Sequence, residues 1–301
     1  MTPPGHWSSE AETPTMDLMT PWHSDDLDLS AYLTRIGFSG EASPTLATLE
    51  ALHRGHTTSI PFENLEILLG RDIPLDLESL QHKLIGSRRG GYCFEHATLF
   101  AAALERIGFR FTALSGRVTL GGDWSSRPPT HAAIIVESGE RRYVCDVGFG
   151  RGPLEPIELV DGTEVDQDGW RLRLTSEPVG DVFGTDRWIL WHLVGDEWVD
   201  RHTFTTNPQF PIDYRVGSHF VSTSPRSPFV TRPFVQRFGV DVHHTLDDST
   251  LTTAAPDGTQ TSREVSVDEL PVLLRDVFDI DLSDADGQAL VASETSRRNT
   301  D

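Results

Sequence analysis

The hydrophobic period of this chain changes at Gly108, and that change demands a helical part followed by a β part. Upstream of Gly108, apolar residues recur at steps of three and four. Leu29, Tyr32, Leu33 and Ile36 predict a helix over residues 28–36, closed by Gly37. Ser43-Pro44 signal the start of a second helix carrying Leu46, Leu49, Leu52 and His56, which Pro61 ends. Asp76 is placed to cap a third, with Leu77, Leu80, Leu84 and Ile85, ended by Gly86. The fourth opens at Cys93 and turns Phe94, Ala97, Ala101 and Leu104 inward along one stripe.

Beyond Gly108 the residues favour strands. Residues 109–118, 130–137 and 141–147 are rich in β-branched and aromatic side chains, and Ser138-Gly139-Glu140 join the last two as a hairpin. Residues 170–175, 187–194 and 197–200 add strands, so this part reads as a small barrel. Prolines are dense from 208 to 233, a crossing segment with a short helix at 214–221. Residues 233–238, 240–246, 250–254 and 261–265 then suggest a meander, with Asp257-Gly258 as one turn. Leu270, Leu273, Leu274 and Val277 predict an amphipathic helix over 268–278. Residues after 284 are polar and are expected to fray.

Composition narrows the partners. A net charge of −21 over 301 residues argues against nucleic acid and against anionic membrane, since both reward basic patches. Two cysteines, Cys93 and Cys145, are too few for a disulfide framework, which fits a reducing cytosol and leaves both thiols free. No apolar run reaches the length of a membrane span, and the first twenty residues have neither the basic start nor the apolar core of a signal peptide.

Chemistry concentrates at Arg89-Gly90-Gly91-Tyr92-Cys93-Phe94-Glu95-His96. A thiol in the first turn of a helix faces the positive end of the helix dipole and unpaired N–H groups, which favour an anion there. The two glycines let other backbone, or a flat substrate, approach without a Cβ in the way. An inert buried thiol is the bland alternative.

A nucleophilic cysteine needs a base, and the base needs an orienting group. His131 starts one strand of the hairpin and Asp146 ends the next. Both are equidistant from the turn near Ser138 and Gly139, which predicts that they lie opposite each other. If Asp146 faces the site, Cys145 faces away and serves packing. His96, three residues past Cys93 on the same helix face, is the rival base. Zinc-type spacings are absent, so no metal is expected, and Gly148-x-Gly150 is too short a pattern to argue a phosphate loop.

Residues 89–95, with Ile60-Pro61-Phe62-Glu63-Asn64, Thr130-His131, Cys145-Asp146-Val147-Gly148-Phe149-Gly150, His202-Thr203-Phe204-Thr205 and Ser222-Thr223-Ser224-Pro225, closely resemble the arylamine N-acetyltransferases. One departure is Ala97, where the family pattern often has Asn. The resemblance implies an α+β, three-part fold with a cysteine-protease-like core: a helical bundle, a β-barrel and an α/β lid. On this chain the division becomes a disordered leader at 1–27, the bundle at 28–108, the barrel at 109–206, a connecting segment at 207–232, the lid at 233–284 and a polar tail at 285–301.

The resemblance also implies a triad of Cys93, His131 and Asp146, in which the cysteine takes an acetyl group from acetyl-CoA as a thioester. The acetyl then passes to an aromatic amine, hydrazine or hydroxylamine. Thr130, Gly148, Phe149 and Gly150 fall at positions beside the cofactor, and Phe149 and Phe204 at positions lining the acceptor pocket. Coenzyme A carries phosphates, so an arginine cluster near the cleft is expected in so acidic a chain, with Arg127 and Arg151 as candidates. The implied setting is cytoplasmic, with small-molecule partners. Competing readings on the same residues are an amide synthase that closes a macrolactam from a carrier-bound polyketide, a cysteine hydrolase, and a non-catalytic binding protein.

Overall fold

Capping decides where the first helices start. The computed structural model describes residues 21–299. In α1 (Leu29–Arg35) the Asp28 carboxylate accepts the Ala31 N–H at 2.9 Å. In α2 (Leu46–Ser59) the cap is Thr45 rather than Ser43, so the helix opens after Pro44 instead of at it. The chain then extends for two residues as β1 (Phe62–Glu63), makes one turn as α3 (Leu65–Leu68), and re-enters helix as α4 (Leu77–Leu80), capped by Asp76 as its sequence predicts. A π turn over Gln81–Gly86 continues α4.

Helix α5 (Cys93–Ile107) is the axis of the molecule, closed by Gly108 at φ 96°. All residues from Cys93 to Leu104 are buried, not only the predicted stripe. A helix covered all round needs packing on every side, and here the other helices cover part of it and the barrel sheet the rest.

The barrel follows as β2 (Arg110–Val118), β3 (His131–Ser138), β4 (Arg141–Cys145), β5 (Ile157–Glu158), β6 (Glu164–Gln167), β7 (Trp170–Pro178), β8 (Asp186–Val194) and β9 (Glu197–Phe204). Their order is β5-β4-β3-β2-β9-β8-β7-β6. The two edge strands, β5 and β6, are consecutive in the chain, so a short loop brings the sheet's edges together and the barrel nearly closes. Both are too short to be read from residue pattern.

Helices α6 (Pro211–Thr223) and α7 (Pro228–Thr231) cross to a second sheet. It contains β10 (Phe234–Phe238), β11 (His243–Asp247), β12 (Thr250–Ala254) and β13 (Gln260–Glu264), and is backed by α8 (Leu270–Asp276). Its first strand is β1, paired antiparallel with β10 through Phe62 and Gln236. The lid is therefore stitched to the helical part by backbone, which its sequence did not announce.

Two expectations about the ends are corrected. The tail expected to fray is α9 (Asp284–Arg298), capped by Ser283, with Leu290 and Glu294 buried. A polar composition hid it, because one leucine reaching the lid core beside Leu270 and Phe278 is enough to dock the helix. The leader expected over 1–27 is ordered from residue 21. Trp22 and Leu27 are buried, with the Trp22 ring 5.3 Å from Tyr214 and 6.2 Å from Phe111. Residues 1–20 lie outside the described residues. Among the described residues no helix is long and apolar enough to cross a membrane.

Candidate active site

Backbone approach, rather than a substrate, explains the glycine pair before Cys93. Strand β1 runs against it: Gly91 N–H donates to the Pro61 carbonyl at 3.3 Å and Glu63 N–H to the Gly91 carbonyl at 2.8 Å. A Cβ on Gly91 would fall 2.7 Å from Glu95 Oε2. That carboxylate accepts the Tyr92 N–H at 3.0 Å and the Lys83 ammonium at 2.8 Å, which secures the N-terminus of α5. Lys83 is the sole lysine of the chain, and burial raises the proton affinity of its partner Glu95 against it. Beneath lies a second ion network, in which Arg89 binds Glu63 and Glu66, each at 2.8 Å.

The hairpin does bring His131 to Asp146, but along a diagonal. Ser138 pairs with Arg141 and Ile134 with Cys145, so the turn is two residues long and Asp146 falls level with Ala133. His131 lies two residues further along β3. A displacement of two preserves the face, whereas a displacement of one would have lost it. Strand β4 ends at Cys145, and Asp146 turns so that its Oδ2 accepts from His131 Nε2 at 2.9 Å. Nδ1 of the same ring is not used by Asp146, and the neighbouring Cys93 thiol adds to the upward push on the imidazole's proton affinity. The Cys93 sulfur also lies 3.5 Å from the Thr130 carbonyl.

Two further histidines hold Asp146, and neither was assigned from sequence. His202 Nε2 donates to the same Oδ2 at 2.8 Å. His53 Nε2 accepts the Asp146 N–H at 3.0 Å, while its Nδ1–H donates to the Leu154 carbonyl at 3.0 Å. The charges follow. Burial opposes ionisation of both Asp146 and His131, yet their mutual attraction wins: the carboxyl is held well below its ordinary range, and the imidazole is raised to about 10. His202 is lowered, chiefly by burial, and stays neutral. His131, Asp146 and His202 place ligand-type atoms within 4.8 Å of one another. Both Nε2 atoms are spent as donors to the carboxylate, however, and an N–H has no lone pair for a metal.

His96 is occupied elsewhere. Its Nε2–H donates to the carbonyls of Gly91 and Pro61 at 3.0 and 3.2 Å, so its Nδ1 is the acceptor for His56 Nε2–H at 2.8 Å. His56 Nδ1 in turn accepts the Tyr32 hydroxyl at 2.9 Å. Burial lowers both imidazoles, His96 to about 4. With both nitrogens engaged and the ring neutral, His96 braces α5 against β1. Cys145 is buried against the apolar core, which raises its thiol well above the ordinary value, as the strand pleat predicts for the face away from the site.

The loop after Asp146 packs against the Cys93 backbone. Gly148 is packed so tightly that a Cβ there would lie 2.8 Å from Cys93 Cα. The half-buried Phe149 ring stands edge-on to His131 at 5.0 Å, and Gly150 turns at φ 85° beside Gln236. Phe204 is buried in the barrel core and meets His202 at 5.9 Å, so it supports the cluster from behind. Arg127 is exposed, against Gly122, whereas Arg151 is drawn in over Trp170 at 5.8 Å.

Known proteins resemble this one over most of the chain. A family model described as N-acetyltransferase matches residues 45–287. The arylamine N-acetyltransferase of Mycolicibacterium smegmatis is 39% identical over 272 residues, covering 88% of this chain and 96% of its own. The crystal structure of Nocardia farcinica arylamine N-acetyltransferase superposes with a TM-score of 0.86 at 55% identity, over 90% of this chain and 95% of that one. The structure of Mycobacterium marinum arylamine N-acetyltransferase in complex with CoA superposes with a TM-score of 0.82 at 33% identity, over 89% and 99%.

Proposed function

The chain belongs to the arylamine N-acetyltransferase family, and from that premise we propose that Cys93, His131 and Asp146 move an acetyl group from acetyl-CoA to the nitrogen of an arylamine. Hydrazines and arylhydroxylamines are further acceptors in this reading. The observation that carries it is the 2.9 Å bond from His131 Nε2 to Asp146, which leaves the other ring nitrogen to the thiol.

His131 Nδ1 takes the Cys93 proton, and Asp146 holds the imidazolium that results. The thiolate attacks the thioester carbonyl of acetyl-CoA, and in this reading backbone N–H groups near Cys93 stabilise the negative oxygen. On collapse the C–S bond to CoA breaks, and the departing thiolate recovers the proton from His131. An amine then attacks the acetyl-cysteine carbonyl and gives its proton to His131, and Cys93 leaves as the thiolate. Thr130 and Gly148 to Gly150 flank the cofactor in this reading. Phe149 offers an aromatic face to the acceptor, backed by Phe204. The division into a bundle at 28–108, a barrel at 109–206 and a lid at 233–284 belongs to the same reading, with the nucleophile and its base contributed by the first two. A chemistry that depends on a free thiol and on CoA also favours the cytoplasm.

Mass spectrometry of the protein mixed with acetyl-CoA tests the proposal. One acetyl adduct on Cys93, absent from Cys93→Ala and discharged by an aromatic hydrazide, is the expected result. An adduct on another residue, or one lost to water as fast as to the hydrazide, overturns it.

A further inference from the structure

A second cluster of basic side chains gathers against the same Phe149 ring, and it owes its position to an irregularity in β9. The β8–β9 ladder pairs Leu190 with His202 and Trp191 with Asp200, which leaves Arg201 as an extra residue with nothing opposite. Adjacent strand residues ordinarily face opposite sides of a sheet, but a bulge re-aims one of them. Arg201 and His202 thus both turn to Phe149, the guanidinium carbon 5.3 Å and the imidazole 5.2 Å from its centroid.

Arg151, two residues past Phe149, lies over Trp170 at 5.8 Å, and His192 meets that indole at 5.9 Å. Phe238 bridges Trp170, at 5.1 Å, to His243, at 5.3 Å. Neither arginine forms an ion pair among the described residues. Nε of Arg151, Nε of Arg201, Nδ1 of His192 and Nε2 of His243 are all buried without a hydrogen-bond partner. The acid that Arg201 feels is Asp200, but that half-buried carboxylate receives the Gly121 N–H at 2.7 Å and forms no ion pair with the guanidinium. Buried cations and buried N–H groups with no acceptor are costly, and they persist where something outside the chain satisfies them.

We propose that Arg151, His192, Arg201 and His243 form an anion-binding site for the carboxylate or phosphate oxygens of a substrate of the reaction proposed above, on which this inference rests. Two guanidinium forks supply the charge. The Thr245 hydroxyl lies 3.4 Å from His243 Nδ1 and can donate to it, and in that tautomer the partnerless Nε2 carries the N–H offered to the anion. Burial and the two arginines lower His192 to about 3 and His243 well below its ordinary value, so both rings remain neutral donors that an arriving anion would not have to discharge. Contacts of 5.0 and 5.3 Å through Phe149 keep the Arg201 guanidinium within about 10 Å of the His131 imidazole. A carboxylate on an aromatic acceptor and a phosphate of CoA are the two sources that reach both places.

The test uses the full chain with Arg201→Gln, and Arg151→Gln as the second variant should the first fail to fold. Sulfate at constant ionic strength should raise the melting temperature of the wild type above that in chloride, and the substitution should abolish the difference. In steady state, 4-aminobenzoate is compared with aniline, and acetyl-CoA with S-acetylpantetheine. At least a tenfold larger rise in KM for 4-aminobenzoate than for aniline assigns the site to the acceptor. The same excess for acetyl-CoA over S-acetylpantetheine assigns it to the phosphates. Equal changes within both pairs, with the sulfate effect retained, overturn the proposal. Loss of the Cys93 adduct from the wild type would instead overturn the reaction itself, and the sulfate measurement does not depend on that adduct.

Discussion

Substituting Gly148 by alanine bears directly on the closeness of the Asp146 loop to Cys93. The new Cβ would sit 2.8 Å from Cys93 Cα, 3.0 Å from the Cys93 carbonyl oxygen and 3.3 Å from His96 Cβ. Carbon atoms rest at about 3.5–4.0 Å, and the two nearest atoms are backbone of a buried helix that no rotamer change can move. The loop therefore has to retreat by about 1 Å. Asp146 stands two residues back and its Oδ1 accepts the Gly148 N–H at 3.4 Å, so the carboxylate moves with it. Overpacking of this kind costs about 1–3 kcal/mol, and a displacement of about 1 Å at a reacting group costs about 100-fold in rate.

Single-turnover acetylation of Cys93 by acetyl-CoA, followed by quench and mass spectrometry, reads the rate, and thermal melting reads the fold. Gly139→Ala is the control. That hairpin glycine has φ 61° with open space around it, so an alanine there meets only the left-handed backbone penalty of about 1 kcal/mol, and acetylation should proceed at the parental rate. Acetylation of Gly148→Ala at the wild-type rate would refute the close packing of this loop on the Cys93 backbone as a condition of activity.

Asp146→Asn keeps the shape but removes the charge that holds the His131 imidazolium, so thioester formation should fall by about 10³–10⁴ with the circular dichroism spectrum retained; a fall under tenfold contradicts the assigned role. Stability should be greatest near neutral pH. His53 and His96 titrate at about 4 when folded, and unfolding returns them to about 6.5, so between those values each withdraws about 1.4 kcal/mol per unit as pH falls. His131, raised to about 10, acts in the other direction: its contribution is full below about 6.5 and is lost as pH rises toward 10. Urea midpoints that stay level from pH 7 to pH 5 would contradict the neutral, buried state of these rings. Lys83→Met strands the Glu95 carboxylate in the core and should destabilise the fold by about 3–5 kcal/mol, whereas Lys83→Met with Glu95→Gln should regain most of it, measured by denaturant melts.

The parts of the site that could be read from the chain are those whose partners lie nearby in sequence. Cys93 was legible because helix periodicity and a preceding glycine pair are local signals. His131 and Asp146 are fifteen residues apart across one hairpin, so pairing alone brought them together, although the register was displaced by two residues from the simple mirror about the turn. His202 and His53 reach Asp146 across 56 and 93 residues. Nothing around His53 distinguishes it from a histidine that only fills a core, and the stretch around His202 carried the family resemblance without giving its imidazole a role. His96 shows the converse: helix spacing puts it on the face of Cys93, but bonds to His56 on another helix and to the Gly91 carbonyl engage both its ring nitrogens.

Period, capping residues and charge are properties of short stretches, so the amino-acid order by itself determined the helical first part, the β second part, the cysteine at the head of α5 and the hairpin that pairs His131 with Asp146. Strand order, the Arg201 bulge, the union of β1 with the lid sheet and the docking of α9 depend on which distant surfaces meet. Only the folded chain decides these. Burial and long-range hydrogen bonds, which no local pattern encodes, set the charge state of every histidine around the sulfur.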